Sequence, residues 1–256
     1  MRNLNVTPIQ CELHWEQPED NRALIESLIS ELPAPTDLIV LPEMFTTGFS
    51  MNALANAEAP GGVTESWLRA LAQRHDCAIT GSIAVNEGDA VYNRMLFATP
   101  RGVTHYDKRH LFRMAGEHKR YTAGTQRVIV EWREWRINLQ VCYDLRFPVF
   151  SRNREDYDLL VYVANWPAVR RAHWRALLLA RAIENLACVV GVNRIGHDAN
   201  GLHYAGDSMV IAADGSVLWD PYNENGAAQI ALDGAALIAY REGFPTQLDA
   251  DAFQLS

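Results

Sequence analysis

The chain has 256 residues, 48% of them hydrophobic and 21% charged, and its 23 Lys and Arg against 31 Asp and Glu leave a net charge of −8. Such a balance excludes a general nucleic-acid binder, which needs basic surface to neutralise phosphate. The apolar runs are short, such as 38–40 and 176–180, and fall far short of the roughly 20 residues a bilayer span requires, so no membrane partner is expected.

Residues 3–11 read as a strand, and 21–32 as a helix with Ala23 or Leu24, Leu28 and Leu32 on its inner side. Residues 37–42 form a short, wholly apolar strand of the kind buried inside a sheet. A second helix spans 64–75, with Thr64 as its N-cap and Trp67, Leu68, Leu71 and Ala72 inward. Strands 77–85 and 91–100 flank the turn "NEGD" and predict a hairpin. A further strand covers 102–106, and two more cover 136–142 and 158–165. The strongest helix is 170–187. Its inner stripe is read as Ala172, Ala176, Leu179, Ile183 and Leu186 or Ala187, with Trp174, Leu178 and Ala182 on a flank. Strands at 188–196, 208–214 and 228–233 close the pattern, joined by turn signals rather than helices. The sheets are therefore expected to be mixed, within one layered α/β domain over 1–256.

No signal peptide is visible in "MRNLNVTPIQ". Cys11, Cys77, Cys142 and Cys188 are far apart and include no CxxC pair. They read as free thiols of a cytoplasmic protein, not as disulfides or a zinc site. Spacings of five and eight separate His105, His110 and His118, which does not stack three ligands on one helix face, and no metal is expected.

In layered α/β domains, sites gather where strands end. Three strands here end in charge. Glu43 follows "LIVLP", Lys108 follows "GVTHYD", and Cys142 follows "INLQV" with Asp144 and Arg146 just beyond. Taken singly, each has an ordinary reading as a solvated loop charge or a small buried thiol. Together they supply a coherent chemistry. A thiol needs a proton acceptor to become a nucleophile, and a carboxylate can accept that proton and return it to a leaving amine. Lys108, with the backbone N–H of Tyr143, can stabilise an oxyanion. Lys108 would lower the Cys142 pKa and Glu43 would raise it, and the sequence leaves the outcome open.

"LPEMF", "YDKRHLF" and "CYDLRFP", in this order and spacing, resemble the three catalytic signatures of the nitrilase, or carbon–nitrogen hydrolase, superfamily. The likeness runs over nearly the whole chain, and "CYDLRFPVFSRN" is most similar to the omega-amidases. The resemblance implies a four-layer αββα sandwich with mixed sheets, no cofactor and a homodimer. It also implies Glu43 as general base, Lys108 as oxyanion stabiliser and Cys142 as nucleophile, with Glu117 as a second glutamate that helps position the site.

The expected reaction is hydrolysis of a terminal amide of a small dicarboxylic acid monoamide, such as 2-oxoglutaramate, through a thioester. An N-carbamoyl hydrolase or an amidase of deaminated glutathione would use the same triad. A non-catalytic scaffold is disfavoured by the presence of Glu43, Lys108 and Cys142 together. A papain-like pair is disfavoured because none of the eight histidines sits in a recognisable partner motif. The basic stretch 107–121, with Lys108, Arg109, Arg113, Lys119 and Arg120, suits a small anionic substrate. Arg146 is the expected anchor of its carboxylate, because a guanidinium fork binds carboxylate bidentately; the alternative is that Arg146 pairs with Asp144 and braces the loop. The flank of helix 170–187, with 243–253, is expected at a twofold interface.

Overall fold

The computed structural model describes residues 1–255. The layering is already visible along β1 (Leu4–Gln10). Leu4 and Val6 enter one apolar cluster, whereas Ile9 and then Cys11 enter another, as the two-residue period of a strand requires. In β2 (Leu38–Val40), Leu38 and Val40 join the first cluster, and Ile39 and the following Leu41 join the second. A sheet buried on both faces needs a cover on each.

One cover is helical. The helices α1 (Pro18–Ser30), the short α2 (Ala53–Asn56) and α3 (Val63–His75) follow in order, and α1 and α3 bury Ile25, Ile29, Leu68 and Leu71 in the second cluster. The first sheet continues through β3 (Ala78–Glu87), β4 (Ala90–Thr99) and β5 (Gly102–Asp107). Strands β1, β2 and β3 run parallel, and β3, β4 and β5 antiparallel.

The other cover is a second sheet. It contains β6 (Ile129–Trp132), β7 (Trp135–Val141), β8 (Leu159–Ala164) and β9 (Cys188–Asn193). After a small hairpin of β10 (Ile195–His197) and β11 (His203–Ala205), it gains β12 (Met209–Ile211) and β13 (Val217–Trp219). Its order is β13-β12-β9-β8-β7-β6. Leu38, Val40, Met95 and Phe97 of the first sheet share one cluster with Ile137, Leu139 and Val141 of the second. Beyond the short α4 (Pro148–Ser151), α5 (Arg171–Asn185) and α6 (Gly234–Gly243) bring Trp174, Leu178 and Leu237 to the same cluster. The last strands, β14 (Gly226–Ala227) and β15 (Ile230–Leu232), return to pair with β1. The result is the αββα sandwich with mixed sheets. Among the described residues no helix is long and apolar enough to cross a membrane.

Three helix readings need correction. In α5 the buried row is Trp174, Leu178, Arg181, Ala182 and Asn185, so the residues read as a flank face the core. Ala172, Ala176 and Ile183, read as the inner stripe, are exposed. Both rows are apolar at helical spacing, and only the sheet beneath selects one. In α1 the buried row is Asn21, Ile25 and Ile29, while Leu24, Leu28 and Leu32 pack at its margin. That helix starts earlier than expected because Pro18, which has no N–H to satisfy, fits the first turn. In α3, Gly62 is the N-cap; Thr64 is the second residue of the helix, buried, with its backbone and hydroxyl both donating to Glu58. The helix α6 has no counterpart in the sequence reading, since "GAALIAYREG" is short and apolar enough to pass for part of the preceding strand region.

Gly81 in β3 sets the clearance for the segment that carries Glu43. A Cβ there would lie 2.8 Å from the Phe45 ring and 2.9 Å from Leu41 Cβ. Leu41 Cβ cannot swing away without moving its backbone, and that backbone is tied to β3 by Leu41 N–H to Thr80 O at 2.8 Å. Gly81→Ala should therefore cost about 1–3 kcal/mol, the usual penalty for overpacking, and should lower turnover as well because the 41–45 segment must shift. Chemical denaturation alongside a kcat measurement checks both; a variant of unchanged stability and rate would refute the close-approach argument.

Candidate active site

Three loops meet at one end of the two facing sheets. The first leaves β2 and is held back against β3: Phe45 N–H donates to Ser82 O at 3.1 Å and Met44 N–H to Ser82 Oγ at 3.0 Å. This turns Glu43 inward, fully buried. The second loop leaves β5, whose next residue is Lys108, also fully buried. The third leaves β7 and opens at once into the single-turn helix Cys142–Arg146.

The turns are tight. Met44 and Cys142 both adopt φ +46°, in the left-handed region that side chains normally avoid. Each such residue costs on the order of 1–3 kcal/mol and persists only where its surroundings enforce it. For Cys142 the enforcing group is Asp144. Its buried carboxylate accepts from Val141 N–H at 2.9 Å, Tyr106 Oη–H at 2.7 Å and His110 N–H at 3.0 Å, and it faces His110 Nδ1 at 2.7 Å. Tyr106 ends β5 and His110 follows Lys108, so Asp144 fastens the lysine loop to the cysteine turn.

Around the reactive groups, Lys108 Nζ donates to Glu43 Oε1 at 2.8 Å and to Glu117 Oε1 and Oε2 at 3.0 and 3.1 Å. Asn93 Nδ2 bridges the two carboxylates at 2.8 and 3.2 Å. Asn165, just past β8, donates its N–H to Glu43 Oε2 at 2.7 Å and its Nδ2–H to Glu43 O at 2.6 Å. Glu117 also accepts the Phe112 N–H. An ammonium carries three N–H groups. The three donations all go to the two glutamates, Glu117 taking a forked pair, and Lys108 also lines the cavity together with Cys142.

Electrostatics follow from this crowding. Burial disfavours the Lys108 ammonium, yet Glu117 and Glu43 outweigh burial and hold its pKa well above the usual lysine range. The Cys142 thiol is pushed well up, first by burial and then by Glu43, with Lys108 pulling the other way. The opposition left open by the sequence is thus decided in favour of the neutral thiol. Glu117 is raised by burial and by Glu43, against the pull of Lys108. The other cysteines are raised too, each to about 12, chiefly by burial. What sets Cys142 apart is that its cavity is also lined by Lys108, whereas Cys188 lines a separate pocket without a cation.

That cavity has a volume of about 310 Å³. Lys108, Cys142, Tyr143, Arg146 and Trp166 all line it. The Tyr143 N–H lies in the first turn of its helix, where amides have no intrahelical acceptor. Arg146 does not pair with Asp144, whose oxygens are already engaged. Its guanidinium stacks 4.7 Å above the Trp166 ring and lies 3.1 Å from His173 Nδ1. Most of the basic stretch expected to attract an anion lies elsewhere: of its cations only Lys108 lines the cavity, whereas Arg113, Lys119 and Arg120 are exposed outside it. A cation the sequence did not single out, Arg170, lines it instead. Asn93 and Asn165 were also missed. An asparagine inside "VYNRM" is unusual for a strand and was the available signal.

His105, His110 and His118 do not converge, for His110 is bound to Asp144 while His105 and His118 are exposed. Among the described residues no group of three His, Cys, Asp or Glu could hold a metal ion.

The geometry yields a sign-specific expectation. Glu43→Gln removes the negative charge that raises the Cys142 pKa and leaves Lys108 in place, so the thiol pKa should fall. The pH dependence of Cys142 alkylation by iodoacetamide should shift to lower pH in this variant, while turnover drops about 10²- to 10⁴-fold from loss of the base. An unshifted or upward-shifted alkylation profile would contradict this electrostatic assignment.

The carbon-nitrogen hydrolase family model matches residues 5–242. The chain is 50% identical over 259 residues, spanning 100% of both sequences, to an omega-amidase, YafV, of Yersinia enterocolitica. It is 32% identical over 246 residues to a 2-oxoglutaramate amidase of Bacillus subtilis, covering 94% of this chain and 95% of that one. Among solved structures, a CN-hydrolase superfamily protein of Xanthomonas campestris with an arsenic adduct in its active site matches with a TM-score of 0.98 at 47% identity, over 100% of both chains.

Proposed function

The chain belongs to the carbon–nitrogen hydrolase family and is an amidohydrolase, and we propose that it hydrolyses the terminal amide of a small dicarboxylic acid monoamide, 2-oxoglutaramate to 2-oxoglutarate and ammonia, through a thioester on Cys142. The observation that carries this reading is a raised thiol beside a buried carboxylate and ammonium, on a cavity that also holds an arginine with no carboxylate partner among the described residues.

In the proposed sequence, Glu43 takes the Cys142 proton as the sulfur attacks the amide carbon. Proton transfer at the moment of attack suits a thiol that is neutral at rest. The oxyanion is met by the Lys108 ammonium, which gives up one of its two bonds to Glu117, and by the Tyr143 N–H. Glu43 returns its proton to the nitrogen, and ammonia leaves. A water then gives a proton to Glu43 and its hydroxide to the thioester carbon; collapse frees the acid, and the proton returns to the sulfur. Glu117 holds Lys108 from the far side. Arg146 binds the distal carboxylate and so places the amide against the sulfur.

Ammonia release from a panel of amides tests the reading. Cys142→Ala should abolish turnover, and Arg146→Lys should reduce kcat/KM for carboxylate-bearing amides far more than for an uncharged amide of equal length. A wild-type preference for the uncharged amide or for an N-carbamoyl substrate would overturn the substrate assignment, and an active Cys142→Ala would overturn the mechanism.

We also infer a cytoplasmic homodimer. The four cysteines are free and buried, as a reducing compartment allows. The flank expected at the interface faces the core instead, but the outward row of α5 is apolar too, with Ile183 52% exposed, and Leu218 at 42% and Ile238 at 40% are further exposed apolar side chains. A patch of this kind matches itself across a twofold axis. Light scattering at micromolar concentration should give a dimeric mass, reduced to a monomeric one by Ile183→Glu; a monomeric wild type would exclude the assembly.

A further inference from the structure

We propose that Arg170 is a specificity-determining residue that reads the 2-position of the substrate, favouring a 2-oxo group and rejecting a 2-ammonium group. This rests on the reading of the protein as an amidase of dicarboxylic acid monoamides.

The observation is a division of labour within one short run. Arg171 pairs with Asp207 at 2.7 Å, and Arg175 pairs with Asp207 at 3.2 Å and Asp220 at 2.5 Å. Their neighbour Arg170, at the end of the single turn Ala168–Arg170, has no ion pair among the described residues and lines the cavity of Cys142. Its guanidinium lies 5.4 Å from the centre of the Phe112 ring. Arg146 is held in the same manner over Trp166. A guanidinium stacked on a ring keeps its in-plane N–H edge open for a ligand. Trp166 joins the two arginines, for its indole N–H donates to Arg170 O at 2.8 Å.

Charge counting sharpens the point. No acidic side chain lines this cavity among the described residues, and three cations do: Lys108, Arg146 and Arg170. Lys108 is neutralised from behind by Glu43 and Glu117. The two arginines are not. A single carboxylate on Arg146 would leave Arg170 without an acceptor. The amide carbon must sit at Cys142, and Arg146 follows on the same helical turn, so the carboxylate end extends toward Trp166. Arg170, bonded through its carbonyl to the Trp166 indole and lining the same cavity, then meets the group next to that carboxylate. A carbonyl oxygen there accepts a hydrogen bond from the guanidinium, whereas an ammonium is repelled. L-glutamine has the same five-carbon skeleton and terminal amide as 2-oxoglutaramate and differs at this position alone.

The test compares kcat/KM for 2-oxoglutaramate, glutaramate (the same skeleton with no 2-substituent) and L-glutamine in wild type, Arg170→Ala and Arg170→Lys. In Arg170→Ala the preference for 2-oxoglutaramate over glutaramate should fall about 10- to 100-fold, the range of one charge-assisted hydrogen bond. The preference over glutamine should fall at least as far. Arg170→Lys keeps the charge and should retain most of the discrimination against glutamine. Glutaramate turnover shows in each variant that the catalytic groups remain assembled. Equal losses on all three substrates, or unchanged ratios in Arg170→Ala, would overturn the assignment while leaving the amidase reading intact. A wild type inert toward both 2-oxoglutaramate and glutaramate would overturn the reading beneath it, and this inference with it.

Discussion

The ammonium of Lys108, sealed from water between Glu43 and Glu117, is the contact on which the site depends. Two carboxylates this close repel, and neither has bulk water to screen the other. With the lysine in place the cluster carries one net negative charge if both glutamates are ionised, and burial together with Glu43 raises the Glu117 pKa against the pull of Lys108. Without it, two buried anions would face each other, and breaking a buried ion pair from one side typically costs about 3–5 kcal/mol. The same charge arrangement keeps Cys142 as a thiol, because the nearer anion and the dry surroundings together exceed the pull of the cation. Glu43 is thereby left as a hydrogen-bond acceptor beside a proton that it can remove.

Such a cluster works only if its three loops cannot drift. Asp144 gives the cysteine turn and the lysine loop one common anchor, with four donor groups around one buried carboxylate. Asn93 and Asn165 do the same for the glutamates from β4 and from the end of β8. The carboxylates of Glu43, Glu117 and Asp144 are buried and well bonded, the condition under which a buried polar network rigidifies a site, whereas the Oδ1 atoms of Asn93 and Asn165 have no partner among the described residues. The left-handed conformations of Met44 and Cys142 fit this picture. Backbone strain at the base and at the nucleophile is tolerated because the two sheets and their anchors leave the chain no other path.

The distribution of arginines separates the scaffold from the cavity. Arg94, Arg133, Arg136, Arg171, Arg175 and Arg241 are all tied to carboxylates. Other arginines, such as Arg113, Arg120 and Arg154, also have no ion pair among the described residues, but they do not line the cavity. Arg146 and Arg170 have no ion pair and do line it, and both rest against aromatic rings of that cavity. A ring contact does not use up the N–H groups of a guanidinium, and apart from the one Arg146 turns to His173 Nδ1 they remain for a ligand, so the cavity keeps its positive potential.

The sequence by itself determined the alternation of strands and helices and the three strand tips bearing Glu43, Lys108 and Cys142. Those features are local: strand alternation, apolar runs and contiguous motifs are written in neighbouring residues. Only the tertiary structure decided which apolar row of α5 faces the core, since Trp174–Leu178–Ala182 and Ala172–Ala176–Ile183 are equally apolar until a sheet lies under one of them. It also decided that Asp144 serves Tyr106 and His110 and not Arg146, and that Arg171 turns to Asp207 while Arg170 turns to the cavity. Asn93 and Asn165 reach Glu43 across 50 and 122 residues of chain. A polar side chain chooses its partner by distance in space, and that distance is set by how the two sheets pack, which no short stretch of the sequence records.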